Sequence, residues 1–180
     1  MTDEQLVEAI LRQDASAQRL LYDRYARRMF GVCLRYAKGR EEAEDLLQEG
    51  FIKVFQKISS FKAQGSLEGW IRRVMVNTAL DYLRQQKLVW TELDEINDPG
   101  EDPSIGEQLG AREILVLVQK LPAGFRTIFN LYAIEGFSHR EIAGMLDISE
   151  GTSKSQYSRA RSQLISLVNE LNKESSLTAR

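Results

Sequence analysis

Cysteine and histidine occur once each in these 180 residues, as Cys33 and His139. A disulfide within the chain and a zinc site of Cys and His ligands both need more such side chains, so both are excluded. Metal chemistry would have to rest on carboxylates alone. Long apolar runs are missing too: no stretch approaches the roughly 18 residues a membrane span requires. The opening MTDEQLVEAI has neither the basic start nor the apolar centre of a secretory signal. The chain is therefore expected in the cytoplasm, with no direct insertion into a membrane. Period-two alternation, internal repeats and low-complexity tracts are absent as well, and this leaves an all-α fold as the expectation.

The 43% hydrophobic and 28% charged residues are those of a soluble globular protein. A net charge of -2 conceals an uneven division along the chain. Between Ile52 and Lys87 seven cations, Lys53, Lys57, Lys62, Arg72, Arg73, Arg84 and Lys87, face only Glu68 and Asp81. Between Leu88 and Gly110 there are seven acids and no Lys or Arg. Within that span TELDEINDPGEDPS combines acidity, two prolines and no sustained apolar period, and reads as an exposed linker. Two small helical domains joined by an acidic flexible linker are expected.

Helices are marked by caps and apolar spacing. Asp14 can cap a helix with Ala17, Leu20, Leu21, Tyr25, Met29, Val32 and Tyr36 inward, ending near Gly39. A second, from about Glu41, turns Ala43, Leu46, Leu47, Phe51, Val54, Phe55 and Ile58 inward, and its Glu-rich first turn suits the helix dipole. After the break SSFKAQGS, Ser66 opens a third, with Leu67, Ile71, Val74, Met75, Thr78 and Tyr82 on one side and Arg73, Asn77, Asp81 and Arg84 on the other. Beyond the linker REILVLVQKL makes another helix. Pro122 stands where a first helical turn tolerates it, and Phe125, Ile128, Phe129 and Tyr132 carry the next helix to Glu135-Gly136.

In the stretch SHREIAGMLDISEGTSKSQYSRAR no acid follows Glu150, although Lys154, Arg159 and Arg161 do. Ser138 and Glu141 form a capping box for a short helix that buries Ile142, Ala143 and Leu146. Asp147-Ile148-Ser149 makes the turn, with Ile148 as its apolar plug, and Ser149 caps the next helix. Positions 153, 157, 160 and 164 then share the inward face. Lys154, Ser155, Ser158, Arg159 and Ser162 are turned outward, beside a helix N-terminus suited to phosphate. This is a helix-turn-helix whose second helix fits a DNA major groove, where a carboxylate would meet phosphate at close range. A helical hairpin with a merely solvated polar face stays open as the alternative. Tyr157 is expected in the core, and His139 on the surface or against phosphate.

GTSKSQYSRAR resembles the second helix of the C-terminal domain of bacterial sigma factors of the extracytoplasmic-function (ECF) group, where a G-T-V-K-S-x-L-x-R-A-R pattern is usual. LPAGFRTIFNLYAIEGFSHREIA is similar to the segment that precedes it there. Ser153 and Tyr157 depart from the commoner Val and Leu, both on the inward face. Asp45, Gln48 and Glu49, followed by Phe51, resemble the D-x-x-Q-E-x-F helix with which that family binds the polymerase clamp. FKAQGSLEGWIRRVMVNTALDYLR resembles its adjoining -10-element reader. The resemblance spans about residues 15–172.

It implies a polymerase-binding and -10 domain over 1–87, a linker over 88–111 and a -35-reading domain over 112–180. It assigns Thr152, Lys154, Ser155, Gln156, Ser158 and Arg159 to the -35 element. Phe61, Lys62, Gln64 and Ser66 in the loop, with Arg72, Arg73, Asn77 and Arg84 on the following helix, fall to the -10 element. Core RNA polymerase and promoter DNA are the implied partners, an anti-sigma factor is a further candidate, and no cofactor, metal or catalytic residue is implied. Cations and aromatics near melted DNA agree with this physically. Trp70 reads at least equally well as core, and the acids Glu41, Glu42, Glu44, Asp45 and Glu49 suit either a basic protein partner or a solvated helix start. A stand-alone regulator of response-regulator type would need an alternating β/α receiver, which the helical first half contradicts. An enzyme of phosphodiester chemistry would need paired acids for metal ions, and the acids here sit on a helix start and in the linker.

Overall fold

The computed structural model describes residues 1–86 and 111–178, with the second stretch's side chains covering 113–173. The acidic linker expected at 88–111 lies, but for its last residue, outside the described residues. Two compact units divide the chain, Met1–Gln86 and Lys87–Arg180. All regular structure among the described residues is helical, so the β/α receiver of the alternative reading has no place in the first unit.

In the first unit a helix precedes those expected. α1 (Asp3–Leu11) opens on a capping box between Thr2 and Gln5 and buries Leu6, Val7 and Ile10. α2 (Ala15–Tyr36) starts where Asp14 accepts hydrogen bonds from the Ser16 and Ala17 amides. Its apolar stripe points inward as its spacing dictates, except that Leu20 is exposed. α3 (Arg40–Lys57) buries Ala43, Leu46, Leu47, Phe51 and Val54 and ends in a 3₁₀ turn, Ile58–Ser60. α4 (Leu67–Gln85) begins at Ser66, whose hydroxyl accepts from the Gly69 amide at 3.1 Å. α2, α3 and α4 pack against one another and α1 lies on α2. Leu21, Met29, Leu67, Ile71, Met75 and Leu80 are fully buried between them, and each such side chain contributes about 1.5–3 kcal/mol.

In the second unit α5 (Ala111–Lys120) leads to Pro122, which caps α6 (Ala123–Phe129) from just outside its first turn. The chain then widens into a π turn, Asn130–Ile134, before α7 (His139–Leu146) and α8 (Glu150–Thr178). Leu117 and Val118 of α5, with Leu121 just past its end, close on Ala160, Leu164 and Val168 of α8, with Phe125 and Phe129 alongside. Arg126 is buried here, and its guanidinium donates to the Gln119 carbonyl at 3.2 Å, tying α6 to the end of α5.

Candidate nucleic-acid interface

α7 is a capped helix at both ends. The Ser138 hydroxyl accepts from the Glu141 amide, and the Glu141 carboxylate accepts from the Ser138 amide at 2.8 Å. Asp147 ends the helix in the left-handed region at φ 55, and this reverses the chain toward α8. Ser149 caps α8 by accepting from the Thr152 amide at 2.9 Å, and the two hydroxyls bond at 2.8 Å. The expected helix-turn-helix is therefore present, with α8 as its second helix.

Among the residues assigned to that helix, Lys154 is exposed and pairs with Glu150 at 2.9 Å. A phosphate arriving there would compete with Glu150 for the ammonium. Ser155, Ser158 and Arg159 are half-buried. The Arg159 Nε, though buried, has no hydrogen-bond partner among the described residues. Thr152 is engaged with the Ser149 cap. Gln156 is only 4% exposed and lies on the inward face with Ser153 and Ala160, unlike the outward Lys154.

His139 does not stand as a free surface residue. Its Nδ1 is 2.9 Å from the Ser153 Oγ, and its ring stacks on Tyr132 at 4.2 Å and 11°. Tyr157 leans on both, 4.5 Å from Tyr132 and 5.8 Å from His139. Burial, and then the Lys154 ammonium, lower the imidazole's pKa, against the opposing pull of Glu150. Sequence reasoning missed this cluster. The two departures at 153 and 157 were its available signal.

In the first unit the loop ahead of α4 holds two backbone positions in the positive-φ region, Ala63 at 55° and Gly65 at 144°. Glycine adopts such angles freely, so the strain rests on Ala63, and strain of this kind gathers at functional loops. Lys62 and Gln64 are exposed there. Phe61 leans on Trp70 with centroids 5.8 Å apart, so each ring is partly covered by the other. Ser66 spends its hydroxyl on the α4 cap. Along α4, Arg73, Asn77 and Arg84 are exposed on one stripe, while Arg72 is half-buried to its side. Arg84 bonds Asp81 at 2.9 Å, and Asp81 also meets Lys53 of α3 at 3.5 Å.

On α3, Asp45, Gln48 and Glu49 are exposed at i, i+3, i+4 spacing and form one face. Most neighbouring acids are already matched. Glu44 pairs with Arg40 at 2.8 Å, Glu42 accepts from the Tyr82 hydroxyl and the Lys38 amide, and Glu49 pairs with Lys53 at 2.9 Å. Asp45 and Gln48 have no hydrogen-bond or ion-pair partner among the described residues. No group of three His, Cys, Asp or Glu side chains among the described residues could hold a metal ion, and no described helix is long and apolar enough to cross a membrane.

Known proteins share this architecture. The family Sigma-70 region 2 matches residues 21–89, and Sigma-70, region 4 matches 111–164. The ECF RNA polymerase sigma-E factor of Haemophilus influenzae is 31% identical, over 91% of this chain and 94% of its own length. That of Escherichia coli strain K12 is 32% identical, over 89% and 91%. In fold, the chain resembles the sigma factor RpoE solved with the anti-sigma factor NepR from Bartonella quintana, with a TM-score of 0.52 and 23% identity over 84% of this chain and 96% of that one. The chain belongs to the ECF sigma factors of the sigma-70 family, and is thus a non-enzymatic initiation factor that directs RNA polymerase to promoters.

Proposed function

We propose that three separate faces share the work of initiation, with α3 holding the polymerase, the loop 61–66 and the α4 stripe holding the opened -10 strand, and α8 reading the -35 element. The observation that carries this reading is that the acidic face and the cationic stripe stand on different helices of one bundle and adjoin where Glu49 pairs with Lys53, Lys53 with Asp81 and Asp81 with Arg84. Asp45, Gln48 and Glu49 point from α3, while Arg73, Asn77 and Arg84 point from α4. An acidic face for a basic protein and a cationic stripe for phosphate would weaken each other if mixed, because like charges repel the intended ligand. On different helices, with their shared border neutralised by those ion pairs, both can be occupied together. The stripe from Arg73 to Arg84 runs about 16 Å at 1.5 Å per residue, long enough to follow a strand rather than one phosphate.

The test is charge reversal on α3. Asp45→Lys with Glu49→Lys is expected to abolish co-elution with core RNA polymerase in gel filtration while circular dichroism stays that of wild type. Both side chains are exposed, so the fold does not depend on them. Co-elution as strong as wild type would refute the assignment of this face.

A further inference from the structure

We infer that His139 is a positioning residue for the -35 reading, one that sets the aim of α8 by gripping Ser153 from the start of α7. The inference rests on the proposed entry of α8 into the major groove. α7 and α8 are joined only by Asp147, Ile148 and Ser149, so packing must fix the angle and rotation of one against the other. α7 packs on α8 with Ile142 and Leu146 buried, and such apolar packing resists separation but tolerates sliding, since it has no direction. A hydrogen bond weakens steeply with angle and so fixes rotation as well.

Ser153 is fully buried, and its hydroxyl meets His139 Nδ1 at 2.9 Å. The imidazole is itself fixed from two directions. Its backbone follows the Ser138 cap, which rigidifies the first turn of α7. Its ring lies flat on Tyr132 of the π turn, and Tyr157 of α8 closes against both rings. Three elements thus meet at one side chain, and the two positions where this chain departs from the usual helix pattern, Ser153 and Tyr157, are the ones that meet it. Lys154 follows Ser153 directly, and Ser155, Ser158 and Arg159 lie within the next two turns. At the roughly 5–6 Å outer radius of a helix, a 20° rotation moves a side chain by about 2 Å. That exceeds the tolerance of a base-edge hydrogen bond.

The test uses holoenzyme assembled from the full chain and core RNA polymerase, on promoter DNA selected from a random pool by the wild-type holoenzyme and on the same DNA with its -35 region scrambled. His139→Phe keeps a stacking ring and deletes the bond, and Ser153→Ala deletes it from the other side. Each is expected to lower the selected-to-scrambled affinity ratio about fivefold to tenfold with scrambled binding unchanged, and the double variant to lose no more than either single one. His139→Asn, which returns a bonding atom near the Nδ1 position, is expected to recover most of the ratio. In the NMR spectrum the sole imidazole's ring protons should be shifted upfield by Tyr132 and move toward their free positions in Ser153→Ala. Equal loss on both DNAs, additive losses in the double variant, or unmoved imidazole resonances would overturn the inference. Arg159→Ala and Lys154→Ala separate it from the reading beneath it. If these two lose binding while His139→Phe keeps wild-type selectivity, the inference alone fails, and if they change binding to neither DNA, the reading of α8 fails and takes the inference with it.

Discussion

His139 is the only histidine in the chain, so near neutral pH its imidazole is the one side chain of ordinary pKa able to change charge. Burial and the Lys154 ammonium hold its folded pKa below the value of 6.5 that it has when free, with Glu150 opposing. The unfolded chain therefore binds a proton more readily than the folded one, and stability must fall as pH drops below about 6.5 and level off beneath the folded pKa. Above 6.5 the imidazole is neutral in both states and its contribution is fully present. His139→Asn removes the titration. Urea unfolding at successive pH values between 5 and 7 is expected to show wild type losing stability toward the acid side while the variant stays flatter across this window. A wild-type curve parallel to the variant's would mean that the ring is as hydrated as in the unfolded chain. Gln156, on the same helix, shows what residue type alone leaves unsaid. Glutamine suits an adenine edge, but whether it faces a groove depends on which arc of α8 the core covers, and Ser153, Gln156 and Ala160 lie on the buried arc.

At the scale of elements, Gly50 lets α3 sit against Met75 of α4. A Cβ built there would lie 2.2 Å from the Met75 sulfur and 3.0 Å from its methyl carbon, and the three nearest atoms all belong to Met75. Alanine would raise helix propensity by about 1 kcal/mol. Met75 is 1% exposed, however, so its thioether has little room to retreat, and overpacking costs about 1–3 kcal/mol. Gly50→Ala is therefore expected to destabilise the first unit by roughly 1 kcal/mol, the difference of the two effects. In a Met75→Val background the clash is removed and the same substitution should become stabilising by up to about 1 kcal/mol. Urea midpoints of the four proteins check the change of sign. Most elements were legible because their signals are local: Asp14, Ser66, Ser138 and Ser149 each cap the helix they were expected to cap. α1 carries a local signal of the same kind, the capping box of Thr2 and Gln5, ahead of the expected helices. The π turn carries no such signal. A single widened turn leaves the apolar spacing of Phe125, Ile128 and Phe129 intact, and only backbone geometry distinguishes it.

For the whole molecule, family and helix-turn-helix were legible in motif spacing, whereas the burden each loop residue carries was not. The loop ahead of α4 shows this and frames the decisive test of initiation as against mere DNA binding. Ser66 belongs to the fold, since its hydroxyl caps α4, and losing such a cap costs about 0.5–2 kcal/mol by itself. Lys62 and Gln64 are exposed and cap nothing, so their replacement leaves the bundle intact. A loop that holds an unstacked base can act only after the strand has opened, because that base cannot be reached inside the duplex. Lys62→Ala with Gln64→Ala, Ser66 being kept, should thus spare polymerase binding and -35 contact and yet reduce open-complex occupancy. Capture of one base is worth roughly 1–3 kcal/mol, or about fivefold to more than a hundredfold in occupancy. A promoter carrying a mismatch bubble at the -10 element has its unpairing cost already met, so the double variant should recover part of the loss there. The share due to base capture remains missing on both templates. Permanganate footprinting on duplex and bubble promoters reads both quantities, and a double variant that opens the intact duplex as fully as wild type would make the loop a connector, leaving strand capture to the α4 stripe alone.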